Sequence, residues 1–175
     1  MGVFACPGGG PPTAWCDAAT KLGRVTVNPD IQGRVFPPTA PYLVGREKVR
    51  EFSRAVFSTS PLNFDPEAAR AAGYADVVAP PTFAVLLQQH ALDGMLADPD
   101  VDIDLAHVVH GQQQFSFTRP IVAGDELTAT LTITSIKTLG GNAMLTAASV
   151  VTDVSGEQVV TATSTLVVGS GGATS

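Results

Sequence analysis

A side chain that moves protons near neutral pH is usually a histidine, or a carboxylate displaced from its ordinary pKa. The three histidines of this 175-residue chain, His90, His107 and His110, are therefore the natural starting point. His110 stands beside Gly111 at the start of a strand-like run, with His107 just before it. Its simplest role is a polar start to that strand; the sharper reading is a general base, for which no paired carboxylate is in sight. His90 lies behind Gln88-Gln89 on a helical run, where a histidine is more often buried and satisfied, or set at an interface, than catalytic. None of the three has metal-ligand spacing with a cysteine or carboxylate, so neither a metal nor any other cofactor is expected. Cys6 and Cys16, the only cysteines, sit in a Gly/Pro-rich leader and read as free thiols rather than as a staple for the fold.

Composition narrows the partners. The formal net charge is −6, with 45% hydrophobic and 15% charged residues. That balance describes a globular body, and the acidic sign without any basic run excludes a nucleic-acid partner. No apolar stretch approaches the roughly 20 residues that span a bilayer, and the start lacks a basic-then-apolar secretory pattern. No membrane insertion is expected, and the location expected is the cytoplasm. Residues 1–24, with Gly8-Gly9-Gly10-Pro11-Pro12, have no apolar periodicity and are expected to be a disordered leader. One domain is expected over 25–169, with a flexible tail over 170–175.

Inside the domain the order of elements is informative. Pro37-Pro38-Thr39-Ala40-Pro41 reads as extended chain, because each proline restricts its predecessor. Tyr42-Leu43-Val44 follows as a short strand. A helix is expected over Arg46–Val56, with Val49, Phe52 and Val56 on one face. Asp65 caps a short helix that begins at Pro66 and stops near Gly73. A longer helix starts at Pro81 or Thr82 and runs to Leu96. Only Gln88, Gln89, His90 and Asp93 break its apolar girth, so other structure should nearly surround it. Four alternating runs then predict strands: Val108–Thr118, Glu126–Thr138, Ala143–Asp153 and Gln158–Val168. Gly140-Gly141-Asn142 and Ser155-Gly156-Glu157 are hairpin turns between them. Ala123-Gly124-Asp125 is expected to be a turn and nothing more, and Gln112-Gln113-Gln114 a polar surface or interface segment. A buried helix followed by a meander of one-faced strands is α+β, with the antiparallel sheet wrapped around the helix.

That architecture is the hotdog fold, and the residues also resemble a family. The blocks are Pro37-Pro38-Thr39-Ala40-Pro41-Tyr42, Val44 to Phe52, Asp65-Pro66-Glu67-Ala68-Ala69, Val78-Ala79-Pro80-Pro81-Thr82-Phe83, His110-Gly111-Gln112, Arg119-Pro120-Ile121 and Ala123-Gly124-Asp125. In number, order and spacing they are similar to the MaoC-like, FAS1-like hotdog dehydratases. The likeness extends to the small actinobacterial proteins related to the HadA and HadC subunits of mycobacterial hydroxyacyl dehydratase.

Catalytic members of that family carry a loop reading roughly Gly-Asp-x-Asn-Pro-(apolar)-His-x-Asp. Dehydrating a β-hydroxyacyl thioester needs a base for the α-proton and a group for the departing hydroxyl, which a His and a nearby Asp supply. Backbone N–H groups at the start of the central helix would steady the enolate oxygen. Laid on this chain, the loop becomes Phe57-Ser58-Thr59-Ser60-Pro61-Leu62-Asn63-Phe64-Asp65. Ser58 takes the Asp slot and Asn63 the His slot, so no catalytic residue remains here. The resemblance then implies a non-catalytic, channel-forming subunit of a heterodimer, whose hotdog partner brings the Asp and His. Acyl-carrier-protein or coenzyme A thioesters are the implied substrates. Pro81, Thr82, Phe83, Leu86, Leu87 and Phe115 are the implied substrate contacts, with the Thr82 and Phe83 N–H groups as candidate thioester donors. Three readings compete: a homodimeric thioesterase, for which Asp93 lies too late on the helix, a homodimeric acyl-binding protein, and an independently active hydratase using His110.

Overall fold

The computed structural model describes residues 27–169 apart from positions 102 and 104. The expectations for a leader over 1–24 and a tail over 170–175 concern positions outside the described residues. Alternation does produce strands: β1 Tyr42–Leu43, β2 Val108–Phe117, β3 Glu126–Leu139, β4 Asn142–Asp153 and β5 Gln158–Val168. They form one antiparallel sheet in the order β1-β3-β4-β5-β2. On β3, Leu127, Ala129, Leu131 and Ile133 are buried, while Thr128, Thr130 and Thr132 between them are half-buried. Gly140 and Gly141 join β3 to β4 with φ of +58° and +83°, the two-residue turn whose twist suits a hairpin. At the next turn Asp153 Oδ1 accepts from the Ser155 N–H, the Ser155 hydroxyl and the Glu157 N–H.

The helices fall close to the expected bounds. They are α1 Arg46–Ala55, α2 Pro66–Ala71 and, after a 3-10 turn over Pro81–Phe83, α3 Ala84–Leu96. Asp65 caps α2 by accepting from the Glu67 N–H at 2.9 Å. Helix α3 packs across β3, β4 and β5, and the sheet curls about it as the hotdog arrangement requires. Two details differ from expectation. Gln88 does not break the apolar surface: it is fully buried, with Nε2 donating to the Ala162 carbonyl at 3.1 Å and the Ser164 hydroxyl at 3.3 Å. Its Oε1 accepts from Gln113 Nε2 at 2.8 Å, so Gln113 is half-buried rather than a plain surface residue. Nor do the described residues surround α3, because Gln89, His90, Asp93 and Gly94 leave an exposed strip along it.

The two edges of the sheet are treated differently. Along β3 the segment 33–43 is laid down as a cover. The Gly33, Phe36 and Thr39 N–H groups donate to the Ile133, Leu131 and Ala129 carbonyls at 2.8–3.0 Å, and Ala129 N–H donates back to Thr39 Oγ1. The opposite edge, β2, has no neighbour beyond β5 among the described residues, and most of its side chains are exposed.

Helix α1 is tied to the chain ahead of α3 by Arg46, whose guanidinium donates to both oxygens of Asp76 at 2.9 and 2.5 Å. The hydrogen bond from Arg46 is the largest cause holding the Asp76 carboxyl down at about 2, against an ordinary 3.8. Because the folded value is the lower one, this carboxylate's stabilisation is fully present above about pH 4 and is lost as pH falls through about 2. Asp76→Asn is expected to lower Tm near neutrality by about 2–4 °C. It should also flatten the fall in Tm between about pH 4 and 2, as read by thermal unfolding across that range.

Candidate active site

The site is built on the loop that leaves α1. Two backbone bonds fix its start: Phe57 N–H donates to the Arg54 carbonyl at 3.1 Å, and Ser58 N–H to the Ser53 carbonyl at 2.9 Å. Between them Phe57 takes φ of +56°, a left-handed conformation that is open to glycine and costs a bulky residue about 1–2 kcal/mol. Phe57 occupies the slot where the catalytic pattern has its glycine. A 3-10 turn over Pro61–Asn63 then brings Asn63 back towards Ser58. Arg50 Nε donates to the Phe64 carbonyl at 2.8 Å and holds the far side of the loop to α1.

The two degenerate positions meet directly. Ser58 Oγ donates to Asn63 Oδ1 at 2.6 Å, and Asn63 Nδ2 donates to the Val78 carbonyl at 2.6 Å. Asn63 is buried, and Val78 N–H donates in turn to the Leu62 carbonyl at 2.9 Å. The two side chains are thus joined by a neutral hydroxyl–amide bond. Neither group titrates near neutrality, so the pair supplies no general acid or base.

Two cavities flank the loop and share Ser58 and Pro80 as walls. The first, about 540 Å³, lies between the loop, Val78–Pro81 and Phe117–Ile121. The second is an open groove of about 660 Å³ between Phe52, Val56, Thr82 and Val85 on one side and Gln113 and Phe115 of β2 on the other. Of the expected substrate contacts, Pro81 borders the first, and Thr82 and Phe115 border the second. Phe83 and Leu87 border neither. Both point into the core, Phe83 set edge-on to Phe52 at 5.3 Å between ring centroids. Leu86 is half-buried and packs against that core. The Phe83 N–H is also not a thioester donor, because it is already bonded to the Pro80 carbonyl at 2.8 Å.

Arg119, beside the first cavity, is a feature the sequence reading passed over. Its guanidinium donates to Asp125 at 2.8 Å and to Asp153 at 3.2 Å. Asp125 also accepts from the Val122 N–H, and its carbonyl receives the Val44 N–H, so it does more than turn the chain. The Asp125 hydrogen bond chiefly raises the Arg119 pKa; the Ser155 hydroxyl, then Arg119, hold Asp153 down at about 2. A run such as Arg119-Pro120 followed by Gly124-Asp125 suggests a turn, but its long-range partner Asp153 has no local signature. His110 is exposed and donates from Nε2 to the Gln112 carbonyl at 3.0 Å; His90 is exposed, with its ring tilted against Tyr42 at 5.6 Å. A third cavity of about 340 Å³ lies beside His90, under Phe36–Ala40. Among the described residues, no group of three or more His, Cys, Asp or Glu side chains could hold a metal, and no helix is long and apolar enough to cross a membrane.

Comparison with known proteins follows the same lines. The family model described as FAS1-like, dehydratase domain region, matches residues 31–162. A UPF0336 protein of Clavibacter michiganensis subsp. michiganensis is 67% identical over 142 residues, which span 81% of this chain and 95% of the relative. The crystal structure described as a C-terminally truncated HadBC (3R-hydroxyacyl-ACP dehydratase) complex from Mycobacterium tuberculosis is similar with a TM-score of 0.73 and 36% identity, over 79% of this chain and 97% of that one. A structure described as a MaoC-like dehydratase is similar with a TM-score of 0.75 and 38% identity, over 81% of this chain and 43% of that one.

Removing the amide tests the locked pair. Asn63→Ala leaves the Val78 carbonyl and the Ser58 hydroxyl without their partner, a cost of about 1–3 kcal/mol. The expected result is a Tm lower by several degrees, with Ser58→Ala falling by less, measured by thermal unfolding of the three chains side by side.

Proposed function

The chain belongs to the FAS1-like dehydratase domain region family, and from that premise we propose that it is the non-catalytic, channel-forming subunit of a heterodimeric (3R)-hydroxyacyl-thioester dehydratase working in the cytoplasm. The observation that carries this reading is the 2.6 Å bond between Ser58 and Asn63. Elimination of water from a 3-hydroxyacyl thioester removes a proton from the α-carbon and expels the β-hydroxyl with a proton supplied to it. Both transfers need groups that change charge near neutral pH. A hydroxyl and an amide do not, and His110 is engaged with a backbone carbonyl on an exposed strand. In this reading the acid and imidazole come from a second hotdog chain.

The architecture offers that chain a place. Among the described residues the β2 edge has no neighbour beyond β5 and offers backbone groups that a second sheet can extend, whereas the β3 edge is already covered. The groove along Phe115 and Thr82 opens beside that edge and supplies one apolar wall for an acyl chain. The similar mycobacterial structure is described as a complex, and the similar MaoC-like chain has more than half its length outside the match, room for a second unit of this size. The substrate carrier in this reading is an acyl carrier protein or coenzyme A. Pro81, Thr82 and Phe115 would meet the acyl chain directly, and Phe83, Leu86 and Leu87 would shape its wall from behind.

The test is to express this chain alone, and together with a hotdog chain of the same genome that carries the Asp and His, and to assay crotonyl-thioester hydration. The pair is expected to exceed this chain alone by about 10²–10⁴-fold, the usual contribution of positioned acid–base groups. Full activity from this chain alone would overturn the proposal.

A further inference from the structure

The Phe57 ring is 89% exposed, although its backbone is held at φ +56°. The backbone there is fixed by its own hydrogen bonds to Arg54 and Ser53, which a glycine would make equally well and without steric cost. The ring makes no aromatic contact among the described residues. A bulky aromatic kept in a strained conformation, and left exposed by the described residues, points to a use outside its own fold.

Its surroundings say where. Val56, the residue before it, is 41% exposed and lines the groove whose other wall is Gln113 and Phe115 of β2. Knob, groove and bare sheet edge therefore form one continuous surface. A chain seated along β2 would lie beside that groove, with the knob next to Val56 on its far wall. We propose that Phe57 is an aromatic anchor that inserts into the second hotdog subunit, an inference that rests on the subunit reading above. The fixed backbone holds the ring out in advance, so little freedom is lost when it docks, and buried aromatics are the residues that dominate such contacts. A partner with glycine in the same loop slot has no matching knob, so the anchor also favours an unlike pair over two copies of this chain.

The test compares the parent, Phe57→Gly and Phe57→Tyr for binding to a hotdog chain of the same genome that carries the Asp and His, with Tm measured for each. Phe57→Gly is expected to weaken binding by at least about tenfold while Tm stays level or rises by up to about 4 °C, because the backbone strain is released. Phe57→Tyr is expected to bind within about threefold of the parent. Equal binding by Phe57→Gly and the parent overturns the anchor and leaves the subunit reading standing. A lower Tm for Phe57→Gly overturns it too, since the ring would then be serving the fold. If binding is equal but KM rises only for substrate linked to an acyl carrier protein and not to coenzyme A, the knob docks the carrier instead. If the parent itself binds no such chain, the subunit reading fails and takes the anchor with it.

Discussion

Burying an amide in hydrocarbon is tolerable only if every polar atom finds a partner, and that requirement decides how α3 sits on the sheet. Apolar contacts would let the helix slide or turn at little cost. Gln88 does not: its amide must reach the Ala162 carbonyl and the Ser164 hydroxyl while its oxygen meets Gln113. The strands beneath make room with small residues, since Ala147 and Ser149 pair in register with Ser164 and Ala162, and all four are fully buried. Once the helix is fixed in rotation and along its axis, so is its first turn at Pro81. The Val78–Pro81 strand of backbone that feeds it then stands where Asn63 can hold it. The site's geometry follows from the helix's seat.

The loop after α1 is held in shape by neutral hydrogen bonds. Pro61 and Asp65 shape the turn and cap the next helix, Arg50 secures the far side, and the Ser58–Asn63 bond closes the loop between them. A neutral pair this well bonded has no protonation state to regulate, so it steadies the loop equally at any moderate pH. What persists is a wall and a shape, with two cavities on either side of Ser58.

Much of the fold could be read from the residues because their signals are local. The Leu127-to-Ile133 alternation, the Gly140-Gly141 turn and the Asp65-Pro66 start each act over a few positions, and each lies where it was expected. The loop's register was legible as well, since Pro61 starts its 3-10 turn and Asp65 caps the next helix. What escaped was set by distant partners. Gln88 looked like a break in the helix's apolar girth because nothing nearby in sequence reveals a carbonyl 74 residues away. Asp125 looked like a turn residue because Arg119's other carboxylate, Asp153, comes from a different hairpin. Phe83 and Leu87 were expected at the substrate channel through the resemblance, and helix rotation aims both at the core.

The segment over 33–43 has a consequence for how large an assembly can grow. A sheet with two open borders can add units on both sides and extend without limit, as fibrils do. Here the chain has sealed one border with its own backbone, and the prolines at 37, 38 and 41 have no N–H to offer an incoming strand. Joining along the remaining border uses up the last open side. Among the described residues, strand addition is thereby limited to one side, which works against the open-ended stacking of fibrils.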